Sequence, residues 1–473
     1  MAECVEKLLE GELGDGLEPM DQTIVSLRSV PWDDLPAHAT PQALTHACTQ
    51  LMQAEGRSRI AGACVYAALL GAESTPALSL LDSIALSHCF RRIKEAFPLS
   101  SPSDAHAFSS STHLLFHLID ALRAFATNVP LSDQTENLRS LVDTLCHLVL
   151  ASHDHSGAAS SCLISLLNTR HGDPIHCAAM IFQRLTPALV GSKQCTKEGF
   201  KATVAIAERI AREVPAVQPA VCAQLRQACI YCSAKSTTRK QTVNACSTIL
   251  SVLPRLEAFS FATFVCKLSR AGKPNQRLFA VELSSAMLER VPGAHTPPSL
   301  QTDEDETMLG GNEKSQDINT DPWSSQSVQV LIERSSDRVV SIRAKALSSL
   351  RGILLNARDD SSALSALLCF IGPRSRPLHT DSAKENEEMP EEEPAQIEQP
   401  PKVLEERNHN TEKHINMTAL LRKRALDSKG NVRKAALQAH EAWISIRQQL
   451  DTKDLAIFAR ACREHLLTVR KQV

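Results

Sequence analysis

The chain is poor in aromatics. Only 4% of its 473 residues are aromatic, with two Tyr and three Trp. Large sandwiches and barrels usually draw on more, so the composition favours helices packed by Leu, Ala, Val and Ile. Charge imbalance is also missing: the formal net charge is −2. Bulk charge therefore predicts no affinity for nucleic acid or acidic lipid, and any such contact must come from a local patch. No run of 18 apolar residues is present, so no membrane span is expected. The first residues, MAECVEKLLEGELGDG, carry acids where a secretory leader needs Lys/Arg and then an apolar stretch. The 15 cysteines are scattered without regular pairing. They read as reduced thiols of a cytosolic or nuclear protein, buried as small apolar groups.

Chemistry-bearing motifs are scarce as well. None of the 17 glycines forms a phosphate-cradling GxxxxGK[ST], a strand-linked GxGxxG or a GxSxG elbow. Cys229 and Cys232 form a CxxC, with Cys222 and Cys246 nearby, but continuous helix around them favours core thiols over zinc. His113 and His117 share a helical face one turn before Asp120, yet position 114 is Leu, so the HExxH glutamate is missing. His153 and His155 read as polar surface in a turn. An enzyme hidden in residues 1–270 would have to be built from these weak groups. No catalytic residue, cofactor, metal or small-molecule substrate is expected.

Present instead is a recurring skeleton: an acid, four variable positions, a β-branched aliphatic, then arginine. Its copies are Asp337–Ile342–Arg343, Asp427–Val432–Arg433 and Glu464–Val469–Arg470. Ala346, Ala436 and Val473 follow the three arginines at the same offset. The last two copies start 37 residues apart, close to the roughly 40–47 residues of HEAT and armadillo units. A partial copy has Arg277 and Ala280 in register, but Ala271 at the acidic position. The acid fits a turn entering a second helix, where a carboxylate caps free amides and meets the positive end of the dipole. The aliphatic and the small residue, four apart, share one face. That face packs on a first helix carrying Leu331 or Leu421. The arginine lies beside it, and its planar fork can reach a carboxylate in the next unit's turn, forming a ladder along the stack.

The expected fold is an all-α solenoid of HEAT-type helical hairpins with acidic insertions. Leu114, Leu115, Leu118 and Ile119, like Leu138, Leu141, Leu145 and Leu148, keep helical spacing. Breaks are expected at Pro98–Pro102, Pro130, Asp154–Gly157, Gly172–Pro174, Pro215–Pro219 and Gly272–Pro274. The organisation reads as a degenerate array over 1–295, a disordered acidic linker over 296–322 and repeats over 323–372. A disordered acidic insertion over 373–412 and repeats over 413–473 follow, the last truncated at Val473. Neither acidic segment has the apolar content to offset its ordering entropy.

Several stretches go further. KPNQRLFAVELSSAML (Lys273 to Leu288), DRVVSIRAKALSSL (Asp337 to Leu350), LLRKRALDSKGNVRKAALQA (Leu420 to Ala439) and CREHLLTVRKQ (Cys462 to Gln472) resemble the D-type HEAT-repeat subunit of condensin II, in its N-terminal third. GRSRIAGACVYAALLGAES (Gly56 to Ser74) fits the same family's early helices more loosely. The resemblance implies a non-catalytic regulatory subunit that binds the kleisin and, through it, the SMC ATPase pair, in the nucleus on mitotic chromosomes. Glu464 and Val473 depart from the family's Asp and Ala. Another HEAT scaffold, such as a nuclear-transport receptor or a phosphatase scaffold, is the alternative. A basic cluster, Arg422, Lys423, Arg424, Lys429, Arg433 and Lys434, spans one hairpin turn and offers contact with DNA or chromatin. Its bland reading is intramolecular, with Arg433 already in the ladder. Thr296, before Pro297, and Thr302, before four acids, are expected phosphorylation sites in the first acidic linker.

Overall fold

The computed structural model describes residues 37–54, 58–72, 77–96, 112–151, 153–191, 196–290, 323–359, 416–448 and 450–464, with Val5, Leu8, Leu9 and Val469 as isolated positions. The acidic stretches expected at 296–322 and 373–412, with Thr296 and Thr302, lie outside the described residues. So do Arg470 and the Pro98–Pro102 break. Two compact units divide at Ser349/Leu350.

The first unit is built from α1 (Pro41–Gln53), α2 (Ser58–Leu70), the short α3 (Ala77–Leu80), α4 (Ser83–Ala96), α5 (Thr112–Asn128), α6 (Thr135–Ala151) and α7 (His153–Ser165). It continues through α8 (Pro174–Leu189), α9 (Lys197–Glu213), α10 (Gln218–Ile230), α11 (Ser236–Leu250), α12 (Arg255–Ser269), α13 (Pro274–Arg290), α14 (Trp323–Arg334) and the start of α15 (Val340–Asp359). Starts are set by local chemistry. Thr40, Asp173 and Thr196 cap the first amides of α1, α8 and α9 through their side-chain oxygens. Pro41 and Pro174 occupy the first turn, where a missing N–H costs nothing.

Contacts run in two layers. Helices α1, α4, α6, α8, α10, α12 and α14 pack in succession, and so do α2, α5, α7, α9, α11 and α13. The layers are joined by pairs such as α1 with α2, α6 with α7 and α12 with α13. This order is that of an α-solenoid of HEAT-type hairpins. Its core is correspondingly spread out. The buried aromatics Tyr66, Phe125, Phe182, Phe261 and Phe279 sit on five different helices, so the large side chains are distributed along the stack and not gathered at one centre. Tyr66 also donates its hydroxyl proton to the Leu80 carbonyl at 2.9 Å, which answers the polar end of a buried ring.

One expected break is not found. Asp154–Gly157 is not a turn: it lies within α7, which runs from His153 to Ser165. An acid in a first helical turn meets the positive end of the dipole, and Gly157 has open space around it, so neither stops the helix. The side chains of His113, His117, His153 and His155 lie outside the described residues. The cysteines described are free thiols, most of them buried. Burial pushes Cys48, Cys162 and Cys177 up to about 12, so they stay protonated and unreactive at neutral pH.

The second unit contains the end of α15, α16 (Met417–Ala425), α17 (Gly430–Arg447) and α18 (Thr452–Cys462). Helix α16 packs on α17 and α18. Asn416 caps α16, and Asp451 with Asp454 forms a reciprocal capping box on α18.

Gly71 marks a close approach in the first unit. A Cβ there would lie 2.7 Å from the Ala121 carbonyl oxygen and 3.1 Å from the Ala124 Cβ. Gly71→Ala should therefore push α2 from α5 and cost about 1–3 kcal/mol. Chemical denaturation of the purified chain checks this, and an unchanged midpoint would contradict it.

Candidate functional site

Buried charge in this chain gathers at the junctions between hairpins. The clearest case joins the α12–α13 turn to the α14–α15 turn. Arg277, in the first turn of α13, sends Nη1 back to the carbonyls of Ala271 and Gly272 at 3.0 and 2.8 Å. Its Nε and Nη2 reach forward to Asp337, at 2.8 and 3.1 Å. Arg277 and Asp337 are 4% and 5% exposed. Asp337 also accepts from the Val339 amide at 2.8 Å and lies 3.2 Å from Arg334 Nη1. Burial alone would raise the Asp337 pKa. The Arg277 fork, the Val339 amide and the Arg334 charge outweigh it and hold the carboxyl below the usual range.

The same arrangement recurs on either side. Arg239 of α11 donates to the Ala234 carbonyl at 3.0 Å and forks onto Glu282 of α13 at 2.8 and 3.3 Å. Arg343 of α15 donates to the carbonyls of Asp337 and Arg338 at 2.9 and 3.2 Å. In the second unit Arg433 donates to the Asp427 carbonyl at 2.9 Å and pairs with Glu464 at 3.0 Å. Asp427 accepts from the Lys429 amide at 3.0 Å, beside Arg424 at 3.4 Å. The packing face carries Ile342, Ala346, Val432 and Ala436, opposite Leu331 and Leu421, all buried.

Of the basic cluster on α16 and α17, the arginines are engaged internally. Arg422 pairs with Asp451 and, at 2.7 Å, with Asp454. Lys423 and Lys429 are exposed, and Lys434 is half-buried. Asp454 is fully buried; its Oδ1 lies 2.9 Å from His440 Nε2, and its Oδ2 lies 3.8 Å from Arg447. Burial raises the Asp454 pKa, but the Arg422 hydrogen bond, the Asp451 amide and His440 more than reverse the shift. Thr418 Oγ1 accepts from Trp443 Nε1 at 2.9 Å and from Arg447 Nη1 at 2.8 Å, tying α16 to α17.

Sequence reasoning missed Arg239 and Asp454. Arg239 has Ser233, not an acid, six positions earlier, and that serine's Oγ caps the Lys235 amide at 3.2 Å. Admitting serine to the acidic position would have exposed the copy Ser233–Thr238–Arg239–Thr242. Asp454 sits at the third position of a capping box that begins with aspartate, a weak pattern to read unaided. Among the described residues, no cluster of three His, Cys, Asp or Glu could hold a metal, and no helix is long and apolar enough to cross a membrane.

Removing Asp337 strands a buried guanidinium. Asp337→Asn should cost about 3–5 kcal/mol near neutral pH. An unfolded aspartate titrates near 3.9 (about that value in model peptides), and the folded carboxyl lies lower. Its contribution is therefore whole above about pH 4 and is lost as pH falls through the folded value. Urea titrations at neutral and acidic pH should show a smaller penalty in acid, and an equal penalty at both would contradict the assignment. In the second unit, Arg422→Gln should cost about 1.5–3 kcal/mol by depriving buried Asp454 of its main donor. Loss of exchange protection in α18 would report it, and protection equal to the parent's would contradict it.

No family model matches the chain. The condensin-2 complex subunit CAP-D3 of Arabidopsis thaliana is 24% identical over 374 residues, covering 76% of this chain and 24% of that protein. The chain thus spans about a quarter of that relative's length. Among solved structures, the Pds5–Scc1 complex aligns at a TM-score of 0.46 and 11% identity, over 97% of this chain and 58% of that one. Kap121p aligns at 0.40 and 11%, over 99% and 40%.

Proposed function

We propose that this chain is a regulatory, non-SMC scaffold of the condensin II type. The observation that carries the reading is the alignment with condensin-2 subunit CAP-D3 across 76% of the chain. The packing agrees with it: buried charges are paired with one another at hairpin junctions, where they fix the register of a repeat scaffold. In this reading the solenoid binds the condensin II kleisin and, through it, the SMC ATPase pair, in the nucleus and on mitotic chromosomes. The ladder residues Asp337, Arg343, Asp427, Arg433, Glu464 and Arg470 serve by fixing the hairpin register that shapes the binding surface. Thr296 and Thr302 are the modification sites that would tune it. Lys423 and Lys429 are the members of the α16–α17 cluster best exposed to meet DNA phosphates.

Mass spectrometry of proteins co-purifying with the tagged chain from mitotic cells tests this. Recovery of an SMC pair with the condensin II kleisin is the expected result. Recovery of transport or phosphatase components instead would overturn the reading and leave the fold intact.

A further inference from the structure

Helix α18 has little apolar hold on its neighbours. Of its 11 residues only Asp454 and Ala461 are buried. Leu455 is 52% exposed, and Ile457 and Phe458 are half-buried. An alanine and two half-covered side chains bury little apolar area. The main fastening is polar and centres on Asp454, which is fully buried. Its Oδ1 accepts from Arg422 Nε of α16 at 2.7 Å and lies 2.9 Å from His440 Nε2 of α17. Its Oδ2 accepts from the Asp451 amide at 3.3 Å and lies 3.8 Å from Arg447 Nη2. A helix held by charge is sensitive to any change of charge in the group that holds it.

His440 is the member of this group whose charge changes near neutral pH. It is fully buried, with the Phe458 ring centroid 5.5 Å from its own. The charges facing it are Asp454 from α18, Arg422 from α16 and Arg447 from its own helix, and Asp451 pairs with Arg422 from the turn before α18. Two cations and two anions balance, and a neutral imidazole leaves them so. A proton upsets this in two ways. It makes the cluster a net cation shut away from water. It also needs a second acceptor. Nε2 already faces Asp454 in a poorly aligned contact, so the added proton goes to Nδ1, which has no hydrogen-bond partner among the described residues. A buried donor without an acceptor is costly. Burial accordingly lowers the imidazole below its ordinary value, and the two arginines add to the effect against the pull of Asp454.

We propose that α18 is a latch released by protonation of His440. With α18 closed the imidazole is dry; with α18 open it meets water and takes a proton freely. In the open form it titrates near its ordinary value of about 6.5, and in the closed form lower. Well above that value both forms are neutral and pH has no effect. As pH falls through about 6.5 the open form binds a proton that the closed form does not, so the closed form loses stability until its own lower value is reached. The two carboxylates stay ionised throughout this window. The Arg422 hydrogen bond holds Asp451 below the usual carboxylate range, and Asp454 lies below it too, its burial outweighed by Arg422 and the Asp451 amide. Release bares Phe458 and Ala461 together with the His440 face of α17. The inference does not rest on the condensin reading, and the co-purification and the pH titration succeed or fail separately.

The test is hydrogen exchange of the purified chain, read by mass spectrometry between about pH 7.5 and about pH 5.5, with amide rates corrected for the intrinsic effect of pH. Opening of α18 should rise about three- to tenfold on acidification, the upper figure being the protonation factor of an open histidine with a pKa of about 6.5. Helix α13, which carries no histidine, should change less than about twofold over this range, since it has no group of this kind to titrate. His440→Gln keeps an N–H donor for Asp454 and cannot take a proton, so its α18 should open equally at both ends of the range. If that variant folds poorly, exchange of the His440 ring C2 hydrogen in the parent serves instead, and its midpoint should fall below about 6.5. Opening of α18 that is flat with pH in the parent, or that rises equally in His440→Gln, would overturn the proposal. So would a His440 midpoint at or above its ordinary value.

Discussion

A guanidinium carries five N–H donors and cannot shed its charge, so an arginine shut away from water must find acceptors on every side. At the hairpin junctions of this chain that requirement becomes architecture. Arg277 meets it by taking two carbonyls from its own turn and both carboxylate oxygens of Asp337 from the next. A lysine could not do the same, because a point charge lacks the fork that spans two turns at once. The arginine thus fixes the shape of one turn and its distance from the following one in a single set of contacts. Arg239 and Arg433 repeat the device with Glu282 and Glu464.

Local coupling of this kind suits a protein with no central core. The buried aromatics are distributed along the stack, and contacts run chiefly between neighbours. Stability is then close to a sum of hairpin and junction terms. Apolar packing supplies most of the drive but little direction, since Leu, Ala and Val faces slide over one another at small cost. The buried ion pairs add what packing lacks, a penalty for the wrong register. A hairpin shifted by one turn would leave Arg277 and Asp337 buried and unpaired.

How much of this could be read from the sequence follows from the range of each interaction. The all-α solenoid was legible, because 3,4-spaced leucines, capping residues and recurrent prolines are local signals. Within the skeleton, the turn acid and its small and branched neighbours were legible for the same reason. Arg239 was hidden because Ser233 can do the capping work of an acid while breaking the pattern. The pairing of Arg422 with Asp454 was hidden because it joins residues 32 apart across a helix junction, and a dense basic stretch looks like surface until its acids are located. The break at Asp154–Gly157 was misread because His, Asp and Gly suggest a turn, although an aspartate also suits the first turn of a helix.

The central claim is that the junction arginine couples one hairpin to the next. A double-mutant cycle on Arg277→Met and Asp337→Leu, read by chemical denaturation with hydrogen exchange, tests it most directly. The account predicts a coupling of about 1–3 kcal/mol. It also predicts that each single variant loses protection in both the α12–α13 and α14–α15 turns, with part of the loss recovered in the double variant. Additive effects, within about 0.3–0.5 kcal/mol, and loss confined to the mutated turn would contradict it.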